Sequence, residues 1–468
     1  MKINNILKIN NILNIKKKIR LFPLQTRDYG FILYPDLPSS YLLTLLIDKL
    51  FHLEQFKIDY VYPFKKYVSN LLLRINNDEF NEEYFIFLEN YYHSSDYALF
   101  LETVLETISK KDIRPFVIIH SIKTPKKELE DLINKYDFIL LIINDLDLFF
   151  NDLFFNNIDI KSINLLYRDD ENVMVNDSQS LKDLNKYVIA YDSYYTYFSK
   201  SKDQIISFLD EDNKNTNSDI YYRWPKSKFI EHFRYSTETS AMITTRGCKY
   251  KCSYCYRVKY SSVRQISLDT IKRDLDKLEE LKYEYIYVYD DCFLTTNYDR
   301  IDNLIDLLSK YTFSYGISTR YEMCKPEVLI KLKQLNIKRI QILQSISLEV
   351  SKETKRFNKD NFEKTLKDLD DYIKVSLDLI LLPELKFLKT FNYAILKPRS
   401  IYINSLFLNP TELYDKKDEY IVTLNNNGMF HVNSVISSNS FTKNDIALAK
   451  KYITYYINKI KNIEIILR

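Results

Sequence analysis

The stretch RGCKYKCSYCYR (246–257) places three of the chain's five cysteines, Cys248, Cys252 and Cys255, in a C-x3-C-x2-C arrangement. Thiolates that close together are first of all metal ligands or redox groups. Three readings compete. A structural zinc site takes four ligands, usually as two close pairs. Here Cys292 and Cys324 stand singly, and none of His52, His93, His120, His232 and His431 has finger spacing. Buried cysteines clustered by chance would have apolar neighbours, whereas Lys249, Lys251 and Ser253 are polar, as in an exposed loop. A [4Fe–4S] cluster on three thiolates leaves one iron without a protein ligand, which is useful if that iron must bind a small molecule.

The elements around the cluster must put it where a ligand can reach it. The segment SAMITTRG (240–247) reads as a strand running straight into the cysteines. After it come SLDTIKRDLDKLEEL as a helix, YEYIYVYDD as a strand, NYDRIDNLIDLLSKY as a helix and FSYGIST as a strand. KPEVLIKLKQLN, RIQILQS, NFEKTLKDLDDYI, VSLDLILLP and RSIYINSLFL continue the alternation, giving about six βα repeats, fewer than the eight of a closed barrel. The cysteines therefore sit at the carboxyl end of the first strand, the edge where α/β sheets bind ligands.

Upstream, YGFILYP (29–35) reads as a strand and SSYLLTLLIDKLFHLE as a helix; DYALFLE, RPFVIIHS and YDFILLII are further short apolar runs. TPKKELEDLINK (124–135) reads as a helix capped by Thr124 with Pro125 at its first position, and NLLYRDDENVMVND (164–177) as an edge hairpin. The fold class expected is α/β. A basic leader (1–26) precedes a Rossmann-like parallel sheet domain (27–177) and a polar, tyrosine-rich linker (178–238). A partial (β/α)6 TIM-type barrel (239–415) and a small, mostly helical C-terminal extension (416–468) follow. The leader, with its repeated KINNIL, reads as disordered or fraying helix, with an organelle presequence as the alternative.

Composition sets bounds. At 468 residues, with 46% hydrophobic and 28% charged residues, the chain fits two or three globular domains. A net charge of +4 gives no reason to expect nucleic acid or an anionic membrane as partner. No run has the roughly 18 apolar residues of a membrane span. Five cysteines make no disulfide framework in a chain this long, which points to a reduced, cytoplasmic setting. Glycine is scarce, four residues where average usage gives roughly thirty. With Lys, Asn, Ile and Tyr abundant, a G- and C-poor genome explains the bias, so a missing glycine says little about lost function.

RGCKYKCSYCY resembles the R-G-C-P-x-x-C-x-[FY]-C of the radical S-adenosylmethionine (SAM) superfamily, with Lys249 in place of Pro. IYVYDDCF (286–293) resembles the F-x-D-D-x-F of its cobalamin-associated members, LDLILLPEL their D-x-I-x-G-L-P-x-E, and FLKTFNYAILKPRSIYINSLFLNPTELY their final strand. The resemblance implies a [4Fe–4S] cluster on Cys248, Cys252 and Cys255, with SAM's amino and carboxylate groups on the open iron. It also implies that Tyr254 packs near the adenine, that Asp290 and Asp291 hold the amino group, and that Arg320 forks the carboxylate. Gln344 and Ser345 would contact the ribose or carboxylate. Three of these have a plainer alternative: Asp290 and Asp291 capping the next helix, and Arg320 paired with Glu322. Cys292 and Cys324 read as buried fillers, and His120 and His232 as structural.

More weakly, RPFVIIHSIKTPKKELEDLINKYDFILLIINDLDLFFNDLF resembles the cobalamin (B12)-binding domain of the same enzymes. The D-x-H-x-x-G loop that gives cobalamin a lower histidine is absent, and His120–Ser121 replace a glycine pair, so bound cobalamin stays open. The activity implied is reductive cleavage of SAM, fed by a flavodoxin- or ferredoxin-like reductant, starting radical chemistry on an unidentified substrate; with cobalamin, methylation leads. The alternatives are a degenerate homologue acting as a scaffold and an RNA-modifying methylthiotransferase. The second needs three further N-terminal cysteines, and none lies before Cys248.

Overall fold

Apolar β-branched runs such as FVIIH and ILLI are too short for helices and apolar on both faces, the pattern of parallel strands covered on each side. The computed structural model bears this out. It describes residues 65–79, 95–112, 114–120, 126–142, 239–250, 263–288, 290–294 and 297–345, together with the further strands and turns named below. The chain divides into two compact units, one of 1–182, 187–237 and 425–432, the other of 183–186, 238–424 and 433–468.

In the first unit, β1 (Ile19–Pro23), β2 (Lys57–Ile58), β3 (Tyr84–Leu88), β4 (Phe116–His120) and β5 (Ile139–Ile142) pair in parallel in the order β2-β1-β3-β4-β5. The hairpin of β6 (Leu165–Asp169) and β7 (Asn172–Asn176) adds an antiparallel edge, as its sequence predicts. Helices α1 (Lys65–Asn76), α2 (Ser95–Ser109) and α3 (Lys126–Lys135) bury Leu71 and Ile75, Leu101, Val104, Leu105 and Ile108, and Leu129, Leu132 and Ile133. These pack with Phe85, Val117, Ile119, Ile139 and Leu141 of the strands. Ile118 and Leu140 are equally buried outside that cluster, so both faces of the central strands are covered.

One expectation is corrected in this unit. The stretch 1–26 is not all leader, because Ile19–Pro23 pairs with Tyr84–Leu88 along its whole length. The lysines that precede it hide a short apolar strand inside a basic tail. DYALFLE, a short apolar run in the sequence, is part of α2, whose buried side chains recur at 101, 104, 105 and 108, the helical period. The strand and helix expected at 29–35 and 39–54, and the cap expected at Thr124, lie outside the described residues.

The second unit is built on β8 (Thr239–Met242), β11 (Tyr285–Val288), β12 (Ser314–Thr319), β13 (Ile337–Ser345), β14 (Val375–Leu381), β15 (Ser400–Ser405) and β18 (Glu464–Leu467). All are parallel and paired in that order. The six expected strands are therefore neighbours in chain order. The seventh corrects the expectation of a mostly helical extension, because EIIL near the C-terminus joins the sheet against β15. The extension also contributes to an antiparallel pair, β16 (Tyr420–Thr423) with β17 (Ser434–Ser438). Its expected helix opens on a reciprocal cap between Thr442 and Asp445.

Helices α4 (Leu268–Glu280), α5 (Tyr298–Leu308) and α6 (Pro326–Leu332) start where the sequence places them. Ser267 and Asn297 accept from the amides of Thr270 and Arg300, and Pro326 takes a first-turn position. The stretch expected as linker is partly structured: Leu184–Lys186 form a 3-10 turn, Leu184 is buried, and Asn185 accepts from the Ser267 amide at 2.6 Å.

Gly316, one of only four glycines, sits in β12 beside Tyr285 and Tyr287. A Cβ there would collide with the Tyr285 hydroxyl and stand 2.7 Å from Tyr287 Cδ2. Gly316→Ala should therefore cost about 1–3 kcal/mol in urea denaturation, and adding Tyr285→Phe should recover part of the loss. An alanine variant as stable as the parent would contradict this packing.

Candidate functional site

The chain leaves β8 at Met242 and bends through Ile243 and Thr244. It then forms β9 (Thr245–Arg246), which pairs antiparallel with β10 (Arg264–Gln265). The Ile266 amide donates to the Thr244 carbonyl at 3.0 Å and extends this stem. Cys248 thus follows a short antiparallel stem, beyond the carboxyl end of the first parallel strand. Gly247 opens the loop with φ +90°, the left-handed region where a side chain is strained. In a chain this poor in glycine, one stands directly before Cys248.

Two carboxylates from the end of β11 fix that turn. Asp290 is buried; its Oδ1 accepts the amides of Thr244 at 2.7 Å and Thr245 at 3.0 Å, and its Oδ2 accepts the Thr244 hydroxyl. Asp291 Oδ2 accepts the Gly247 amide at 2.8 Å. Neither caps the next helix, a task that falls to Asn297. Burial pushes the Asp290 carboxyl up to about 6, against the pull of its hydrogen bonds.

Cys248 is half-buried. A hydrogen bond from Cys292 lowers its thiol to about 7, helped by the Tyr250 amide and the Arg320 guanidinium and opposed by burial and by the Asp291 charge. Cys292, which the sequence suggests only as a buried filler, packs with Tyr250 against Cys248 and Met323. Cys248 and burial together push the Cys292 thiol up. Cys324 does behave as a filler, its buried thiol donating to the Arg320 carbonyl at 3.6 Å.

Arg320 follows β12. Its guanidinium forks onto Glu322, Nη2 to Oε1 at 2.8 Å and Nε to Oε2 at 3.2 Å, and lies 4.5 Å from the centroid of the Tyr250 ring. The Tyr250 hydroxyl donates to the Met323 sulfur at 2.9 Å. Tyr250 therefore pins the cysteine loop to the end of β12, a role its sequence position between two lysines does not disclose. The turn after β11 is tied to β12 as well, through the Phe293 amide on the Ser318 carbonyl at 2.8 Å.

Of the residues singled out in the sequence, Cys248, Asp290, Asp291 and Arg320 come together here. Gln344 and Ser345 end β13, paired with Leu379 and Ile380. Cys252, Tyr254 and Cys255 lie outside the described residues. Among the described residues, no three His, Cys, Asp or Glu side chains are grouped to hold a metal ion, and no helix is long and apolar enough to cross a membrane.

Residues 242–386 match the model of the radical SAM superfamily. The chain also shares the fold of solved cobalamin-dependent radical SAM enzymes. OxsB with aqua-cobalamin bound aligns with a TM-score of 0.61 at 14% identity, over 93% of this chain and 66% of OxsB, so the chain spans just under two thirds of that protein. TsrM from Kitasatospora setae, a radical SAM methyltransferase solved with tryptophan and a SAM analogue, aligns with a TM-score of 0.59 at 11% identity, over 97% of this chain and 92% of TsrM. No curated protein sequence matches the chain.

The Asp290 clamp has a pH signature. Its carboxyl holds a proton more tightly in the native state than unfolded, so its contribution to stability is most favourable below about pH 4 and declines as pH rises to about 6. A shift of that size corresponds to roughly 3 kcal/mol. Asp290→Asn keeps an oxygen for the two amides and offers an NH2 to the Thr244 hydroxyl without the buried charge. It should flatten this part of the pH–stability curve and be no less stable than the parent at pH 7.5. Asp290→Ala strands two buried amides and should lose about 2–5 kcal/mol. Urea unfolding of the iron-free chain at pH 4.5 and 7.5 measures both; equal losses for Asn and Ala would refute the assignment.

Proposed function

We propose that the chain is a radical SAM enzyme whose Cys248, Cys252 and Cys255 hold a [4Fe–4S] cluster, and that its first unit binds cobalamin for transfer of a methyl group to an unidentified substrate. The observation that carries the reading is the placement of Cys248. It stands on a glycine-opened loop braced by two carboxylates, at the ligand-binding edge of a parallel sheet, within the segment matching the superfamily. The donor chemistry fits: a half-buried thiol lowered to about 7 loses its proton readily to become a metal-binding thiolate. When bound, the cluster supplies the electron that breaks a carbon–sulfur bond of SAM, and cobalamin a carrier for a methyl group.

The chain's own residues would do the positioning. Asp290 and Asp291 hold the backbone of the loop, and the charge of Asp291 lies near Cys248, where it also suits an ammonium group. Arg320 forks onto Glu322 beside the Tyr250 ring and is the candidate to pair with a SAM carboxylate. Gln344 and Ser345 stand at the end of β13, and Tyr254 beside the last cysteine is the candidate for the adenine. In the first unit the strand order β2-β1-β3 reverses the direction of winding between β1 and β3. The carboxyl ends of those two strands are where such sheets form a ligand crevice, which supports a cobalamin site there.

Anaerobic reconstitution should give about four irons per chain, with release of 5′-deoxyadenosine from SAM under a strong reductant. Replacing Cys248, Cys252 and Cys255 with serine should abolish iron binding. A triple variant that keeps the iron and its visible absorption would overturn the proposal. Incubation with hydroxocobalamin and gel filtration should leave a corrinoid spectrum on the chain; its absence would remove the methyl-transfer part alone.

A further inference from the structure

Strand register draws one polar row across the sheet of the second unit. Ser318 of β12 pairs with Gln341 of β13, Gln341 with Ser376 of β14, Ser376 with Ser400 of β15, and Ser400 with Glu464 of β18. One residue further along each strand, on the opposite face, the row reads Thr319, Ile342, Leu377, Ile401 and Ile465. That apolar face is the one under the helices. Tyr315 alternates with Ile317 and Thr319, and its hydroxyl donates to the Leu308 carbonyl of α5 at 2.9 Å. The polar row shares its face with Gly316 and Tyr287, whose hydroxyl lies 2.6 Å from that of Ser318. Two of its five members, Ser400 and Glu464, lie beyond the segment that matches the superfamily model.

Parallel sheets are ordinarily apolar on both faces, and the inner layers of a barrel are filled by Val, Ile and Leu. Three serines, a glutamine and a glutamate neither fill such a layer nor tolerate dry burial. They suit a surface covered by water or by a polar ligand. None of the four positions in register with Glu464 is basic. Asp378 stands on the same face of β14, two residues beyond Ser376, while Arg339 stands on β13 beside Gly316, three strands from β18. The acids therefore gather on the β14–β18 side. We propose that this face is the floor of a binding site for a hydrophilic substrate bearing an amine, with the ammonium at the Glu464 end and hydrogen-bonding groups along the serine and glutamine positions. That the occupant is the substrate of radical chemistry rests on the function proposed above.

The test is saturation-transfer NMR on the anaerobically reconstituted full chain, with and without excess SAM. The probes are water-soluble fragments of four classes: polar amines, neutral polyols, carboxylic acids and apolar compounds. The variants are Ser376→Val with Ser400→Val, the same two positions changed to alanine, and Glu464→Gln, each checked for folding by urea denaturation. Valine gives the row the aliphatic bulk usual in a barrel layer; if that pair does not fold, the alanine pair is read in its place. Polar amines should dominate the fragments whose signal the serine variants remove, and SAM should leave those signals in place. Glu464→Gln should weaken the amines about tenfold and leave the polyols unchanged. Variant-sensitive fragments that are mainly apolar or acidic, the absence of any, amines indifferent to Glu464→Gln, or amines displaced by SAM would overturn the inference and leave the cluster assignment standing. A chain that takes up no iron overturns the radical SAM reading instead, and the fragment pattern still decides this one.

Discussion

Paired carboxylates at the end of β11 hold the turn that carries Cys248. Asp290 and Asp291 reach back to the chain beyond β8 and take up three backbone amides that the bend would otherwise leave buried or half-buried without partners. An unpaired amide in such a place costs roughly 1–3 kcal/mol, so the two aspartates do for this loop what a ladder of hydrogen bonds does for a strand. The cost is a buried charge, visible in the raised Asp290 carboxyl. The loop can then leave the sheet on a two-residue stem and still present its first cysteine at a defined place.

The same economy shows in the glycines. Only four remain in the chain, and two of the four stand where the backbone or the packing excludes a side chain. Gly247 has a left-handed conformation ahead of Cys248, and Gly316 lies under two tyrosine rings in β12. Elsewhere the chain manages with Lys282 at φ 59° after α4 and Asp78 at φ 59° after α1, helix ends where glycine is more usual. Both described glycines stand where geometry demands them.

Much of the second unit is legible in the sequence because its signals are local. Ser267, Asn297 and Pro326 mark helix starts, and Ile271, Leu275 and Leu278 repeat at the helical period in α4. The short strands at the two ends of the chain are not legible: Ile19–Pro23 follows a basic run, and EIIL is too brief to distinguish from a helical fragment. In the site, the cysteine spacing and the aspartate pair stand out, yet what Asp290 does depends on amides some forty residues upstream, which no local pattern encodes. Tyr250 and Cys292 escape for the same reason. Their partners, Arg320, Met323, Thr319 and Cys248, are brought in by the sheet.

If the carboxylates organise the loop, its order precedes the metal. Hydrogen exchange on the peptide spanning residues 242–250, measured anaerobically before and after iron loading, addresses this directly. Slow exchange at Thr244, Thr245 and Gly247 in the iron-free chain, little changed by loading, is the outcome that follows from the Asp290 and Asp291 contacts. Free exchange at those amides until iron is added would mean that the metal, and not the aspartate pair, builds the site.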